Sequence, residues 1–133
     1  MDITLADWFK DLSSRSPATV RRPVTVIGTW ETRLGARGQY AQIEIGVEPA
    51  DSWAVAVELP EGAAQKPGTA AYLRSAVFGM LDIFVTRSPR PLLRIRVHIV
   101  GMDVHPVDSS EAAFRLAGKD AAQKIILDWQ NMT

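Results

Sequence analysis

Apolar and polar positions alternate in two registers along this chain, and the switches between registers mark its elements. Leu5, Trp8, Phe9 and Leu12 recur at i, i+3, i+4 and i+7, which predicts a short amphipathic helix over 4–14. Thr4 followed by Asp7 has the form of a capping box, and Ser13-Ser14-Arg15-Ser16-Pro17 breaks the pattern as a linker. Val24, Thr25, Val26, Thr29 and Thr32 predict a strand over 22–33, with Gly28 as a candidate bulge. A sharper period of two follows over 41–48. Ala41, Ile43, Ile45 and Val47 share one face, and Gln42, Glu44, Gly46 and Glu48 share the other. After a turn at Pro49-Ala50-Asp51-Ser52, a third strand carries Trp53, Val55, Val57 and Leu59 on one side. Connections this short predict an antiparallel meander.

The second half reads in the same way. Leu73, Val77, Met80, Leu81 and Phe84 make the stripe of a helix over 69–85, which the Thr86–Pro91 stretch ends. A last strand over 92–100 sends Leu93, Ile95, Val97 and Ile99 inward, and Arg94, Arg96 and His98 outward. Beyond a loop over 101–107, Phe114, Ala117, Ala121 and Ile125 mark a helix over 109–129. Asp108 is its expected N-cap, and Glu111 completes the box. The predicted class is α+β: a four-stranded sheet with two helices on one face, plus the short N-terminal helix. Residues 1–16 form the helix and linker, and 17–133 form the domain. No repeat or low-complexity segment interrupts this order.

Charge and composition narrow the function classes. Fifteen basic residues balance fifteen acidic ones, so any RNA-binding surface must be a local patch. There is no cysteine, which removes disulfides, thiol nucleophiles and thiolate metal sites together. The start, Met1-Asp2-Ile3-Thr4, reads as a natural one and lacks a basic, apolar leader. The apolar run from Ala76 to Val85 is interrupted by Asp82 and falls short of the ~20 residues a membrane span needs. The expectation is a cytoplasmic protein without a membrane partner. Asp103, His105 and Asp108 are too few for a metal site, and no nucleophile–base pair is present, so neither metal, cofactor nor catalytic residue is expected.

Two stretches together carry a family resemblance. Arg37-Gly38-Gln39-Tyr40, ahead of an alternating strand ending Val47-Glu48-Pro49, resembles the glycine-rich tip loop of domain IV of bacterial elongation factor G, where Gly-Gly-Arg-Gly-Gln-Tyr/Phe-Gly is usual. About sixty residues on, the run His105-Pro106-Val107-Asp108-Ser109-Ser110-Glu111-Ala112-Ala113-Phe114 is similar to that domain's His-x-Val-Asp-Ser-Ser-Glu-x-Ala-Phe. The resemblance spans roughly 22–126. It implies the four-stranded, two-helix fold shared with the second domain of a small-subunit ribosomal protein, including a left-handed βαβ crossover. It also implies a domain that mimics part of a tRNA and reaches the decoding region with its tip. Ala36 and Ala41 stand where the family has glycine, and Gly101-Met102-Asp103-Val104 replaces Asp-Gly-Ser-Tyr. The helix entry Gly62-Ala63-Ala64-Gln65-Lys66-Pro67 departs too, and no G-x-x-x-x-G-K-[ST] phosphate loop is present, so no nucleotide is expected.

The resemblance makes Arg37, Gly38, Gln39, Tyr40 and His105 the expected RNA contacts at the tip, on a ribosome or another structured RNA. The alternative is that Gly38 supplies a turn and Arg37 is solvated. Arg94, Arg96 and His98 form a candidate basic face, set against cross-strand pairing with Glu44 and Glu48. Leu5, Trp8, Phe9 and Leu12 either cover the protein's own core or form a docking face for a protein partner. Two functions therefore stand: a stand-alone, non-enzymatic RNA-binding module without GTPase activity, or a protein-interaction module on the same scaffold.

Overall fold

The computed structural model of the chain describes residues 18–34, 37–60, 68–87, 90–105 and 108–130, apart from the side chains of residues 33, 34, 37 and 130. The predicted helix with Leu5, Trp8, Phe9 and Leu12 lies outside the described residues. The elements run β1 (Val24–Leu34), β2 (Arg37–Pro49), β3 (Ala54–Val57), α1 (Thr69–Thr86), β4 (Ile95–Asp103) and α2 (Glu111–Gln130).

β1 and β2 form a long antiparallel hairpin in unbroken register, from Val24 opposite Val47 to Leu34 opposite Arg37. Arg37 to Tyr40 is therefore strand, where the glycines predict loop, because Glu31 to Leu34 supply backbone partners for the whole stretch. Along β2 the period of two is burial itself: Ala41, Ile43, Ile45 and Val47 are buried against the helices.

The predicted meander is not what forms. The strand order is β1-β2-β4-β3, with β4 antiparallel to β2 and parallel to β3. β4 carries Ile95, Val97 and Ile99, all fully buried, and such a strand belongs at the centre with a neighbour on each side. β3 has four residues and leaves Val55 and Val57 partly exposed, which suits an edge. α1 is the crossover that a parallel β3–β4 pair requires.

Gly28 marks no bulge. Its β1 pairing with Ile43 is regular, and a Cβ there would lie 2.2 Å from the Ala117 carbonyl oxygen, so its role is to let α2 cross β1 closely. The irregularity falls between Glu44 and Ile45 of β2, opposite Ile99 to Gly101. α1 and α2 touch through a second small-residue contact. A Cβ on Gly79 would sit 2.1 Å from the Arg115 carbonyl oxygen, and one on Gly118 equally close to that of Ala76. With the backbones this near, Phe84, Met80, Phe114 and Ile125 close a single core over the sheet, and Tyr72 stacks on Phe114 at 4.8 Å.

The exposed edge of β1 is covered by side chains of α2. The Thr29 N–H donates to Asp120 (2.9 Å), and Lys124 Nζ donates to the Ile27 carbonyl (2.6 Å). Lys124 and Asp120 are themselves 3.0 Å apart. Among the described residues no helix is long and apolar enough to cross a membrane.

Candidate functional site

The far ends of β2 and β4 and the approach to α2 meet at one end of the sheet. The Tyr40 N–H donates to the Asp108 carbonyl (3.1 Å), and Ser109 Oγ donates to the Tyr40 carbonyl (2.7 Å). The same Ser109 oxygen accepts from the His105 N–H (2.8 Å), and the Ser109 N–H donates back to the His105 carbonyl (3.2 Å). The turn over 105–109 is thus closed on itself and tied to β2. Segments far apart in the chain become one tip.

Asp108 is not the helix cap. Ser110 takes that role, its hydroxyl accepting from the Ala113 N–H at 3.1 Å, as an N-cap does for the third helical residue. Ser109 is held by Tyr40, so the helix cannot begin earlier, and the Asp108 carboxylate is left facing the tip. One of its oxygens would lie 3.0 Å from a Cβ on Gly38, so a side chain at that position would crowd it. The Asp108 N–H donates to His105 Nδ1 (3.0 Å), so the neutral ring carries its proton on Nε2.

A cavity of about 290 Å³ opens here, lined by Glu31, Thr32, Gly38, Gln39, Tyr40, Asp103, Val104, His105 and Asp108. Two of its side chains are pinned. Trp30 Nε1 donates to Gln39 Oε1 (3.0 Å), which turns the amide's NH₂ end away from the indole. The Tyr40 hydroxyl donates to Asp103 at 2.5 Å. That bond, to a carboxylate that would repel a phenolate, pushes the Tyr40 pKa up to about 12, with burial and Glu31 adding to it. Gly38, Gln39, Tyr40 and His105, all expected tip residues, are brought together. Arg37 opens β2 opposite Leu34, and its side chain lies outside the described residues. Asp103, Asp108, Ser109 and Glu31 join the tip without being among the residues the sequence singles out as contacts. Asp108 and Ser109 lie inside the recognisable motif, so motif membership is the available signal. Nothing local to the sequence aims Glu31 or Asp103 at this cavity.

The chain matches no protein-family profile. Among solved structures it is similar to a protein from Thermus thermophilus, at a TM-score of 0.71 and 20% identity, over 84% of this chain and 16% of that one. The likeness bears on the fold, and this chain spans about a sixth of that protein's length.

The candidate basic face is present and paired. Arg94 lies 3.7 Å from Asp51, and Arg96 lies 3.4 Å from Glu48. His98 is clasped between Glu48 at Nε2 (3.0 Å) and Glu58 at Nδ1 (3.1 Å). The Glu48 bond, then that of Glu58, hold His98 above its ordinary pKa against the opposing effect of burial. The bond from His98 in turn holds Glu48 below the usual carboxylate value. Each cation on this face has a carboxylate partner, so it offers no excess of positive charge to a phosphate. Among the described residues no three metal-binding side chains gather.

Proposed function

We propose that this chain is a non-enzymatic module that binds ribosomal or other structured RNA in the cytoplasm through its tip, without GTPase activity. The observation that carries the reading is the hydrogen-bonded union of the two motif-bearing segments, Gly38–Tyr40 and His105–Ser109. The resemblance to the tip of elongation factor G domain IV supplies the class of partner. The lining suits base edges better than phosphates. Carboxylates such as Asp103 and Asp108 accept from exocyclic amino groups, and Gln39 and His105 offer both donors and acceptors. Phosphate contact falls to Arg37 at the end of the hairpin.

One observation favours the second reading, a protein-interaction module. The described cavity carries three carboxylates, Glu31, Asp103 and Asp108, against the single imidazole of His105, and it would accept a lysine or arginine from a protein. Co-sedimentation of the full chain with ribosomal particles at low salt separates the two. Under the RNA reading the chain pellets with the particles and an Arg37→Ala/His105→Ala variant stays in the supernatant. If both chains pellet equally, or neither pellets, the RNA reading fails.

A further inference from the structure

Opposite the tip cavity in character, an apolar groove of about 290 Å³ runs between β3 and α1. Its walls are Val55 and Val57 of β3, with Leu73, Val77, Phe78 and Leu81 of α1, and Ile99 forms part of its lining. Val57 is 49% exposed and Phe78 47%, so large apolar side chains face water along an edge strand. The only charged lining residue, Arg74, has no ion-pair partner among the described residues.

We propose that residues 4–14 of this same chain seat in the groove as a helix, with Leu5, Trp8, Phe9 and Leu12 facing β3 and α1. Three observations point to this occupant. The first is where the described chain begins. The Ala18 N–H donates to the Pro91 carbonyl (2.7 Å) and Ala18 bridges Leu92, whose own N–H donates to the Phe84 carbonyl of α1. The chain therefore enters the fold beside the last turns of the helix that walls the groove.

The second is length. From Phe84 back to Leu73, α1 rises about 16 Å, and an 11-residue helix over 4–14 is also about 16 Å long. Residues 15–17 add up to about 10 Å of extended reach, enough to turn back and step across from Ala18. The third is charge. Residues 1–17 carry Asp2, Asp7 and Asp11 against Lys10 and Arg15, and Asp11 borders the apolar stripe where Arg74 needs a partner. A second copy or a separate protein would have to compete with a segment tethered within reach, whose effective concentration is of roughly millimolar order.

The absence of cysteine makes the test direct. A nitroxide on Lys10→Cys, which keeps the apolar stripe intact, is read by paramagnetic broadening of methyl resonances in the full-length protein. The methyls of Val55, Val57, Leu73, Val77 and Leu81 lose most of their intensity, while those of Ile27 on the opposite edge keep theirs. Reducing the nitroxide restores the signals. In a Trp8→Ala/Phe9→Ala background the broadening disappears while the circular dichroism of the domain persists. Unbroadened groove methyls overturn the proposal. So does broadening seen only when labelled chains are mixed with unlabelled, isotope-enriched chains, which assigns the groove to a second copy. Neither result depends on RNA binding.

Discussion

Among single residues, the tip is defined by which group each proton belongs to. Tyr40 gives its proton to Asp103 across 2.5 Å, and ionising the phenol would place two anions in contact. In a Tyr72→Phe background, which leaves Tyr40 as the sole tyrosine, absorbance titration should show no phenolate until the pH nears 12. Asp103→Asn should bring the transition down toward 10, the ordinary value. A phenol that titrates normally in the unsubstituted site contradicts the contact. Ser110 makes a second prediction of this kind. Ser110→Ala leaves the first turn of α2 without its side-chain acceptor and should cost about 1 kcal/mol in denaturant unfolding. Asp108→Ala should cost less, because Asp108 caps nothing.

Between elements, two contacts decide how the pieces fit. The α1–α2 crossing depends on Gly79 and Gly118, where an added Cβ meets backbone oxygen at 2.1 Å. Backbone cannot swing aside as a side chain does, so the helices must separate. Gly118→Ala should destabilise by about 1–3 kcal/mol, with the denaturant midpoint falling and the slope unchanged. The His98 clasp joins β4 to Glu48 of β2 and to Glu58 just past β3. His98 is raised in the folded state, so its contribution is complete below 6.5, its ordinary value, and fades as pH climbs through the raised one. Glu48 is lowered, so its contribution is present above 4.5 and fades as pH falls through the lowered value. The clasp is therefore strongest in the mildly acidic window between those limits. His98→Phe should flatten the decline in denaturant midpoint on the alkaline side of that window. An unchanged pH profile would contradict the clasp.

Across the molecule as a whole, what can be read from the chain follows from what is local. The spans of β2, β4 and both described helices are legible because burial on one face imposes its period on neighbouring residues. Sheet order is not, because insertion of β4 between β2 and β3 depends on which strand is buried from both sides. The short connections that suggest a meander carry no such information. The same division holds at the tip. Gly38, Gln39, Tyr40 and His105 are legible through two motifs, whereas Asp103 and Glu31 arrive by strand register. Asp108 misleads for a physical reason: aspartate and serine both cap helices, and the anchoring of Ser109 by Tyr40 decides between them.

That this two-segment tip grips structured RNA is best checked by RNA affinity across a salt series. A labelled, structured RNA is titrated with the full chain and with Arg37→Ala/His105→Ala, each shown to be folded. Log affinity should fall linearly with log salt for the unsubstituted chain. The double variant should bind at least about tenfold more weakly, the loss of roughly 1.4 kcal/mol expected from two modest contacts. Equal affinity for the two proteins at every salt concentration would refute the RNA-binding tip.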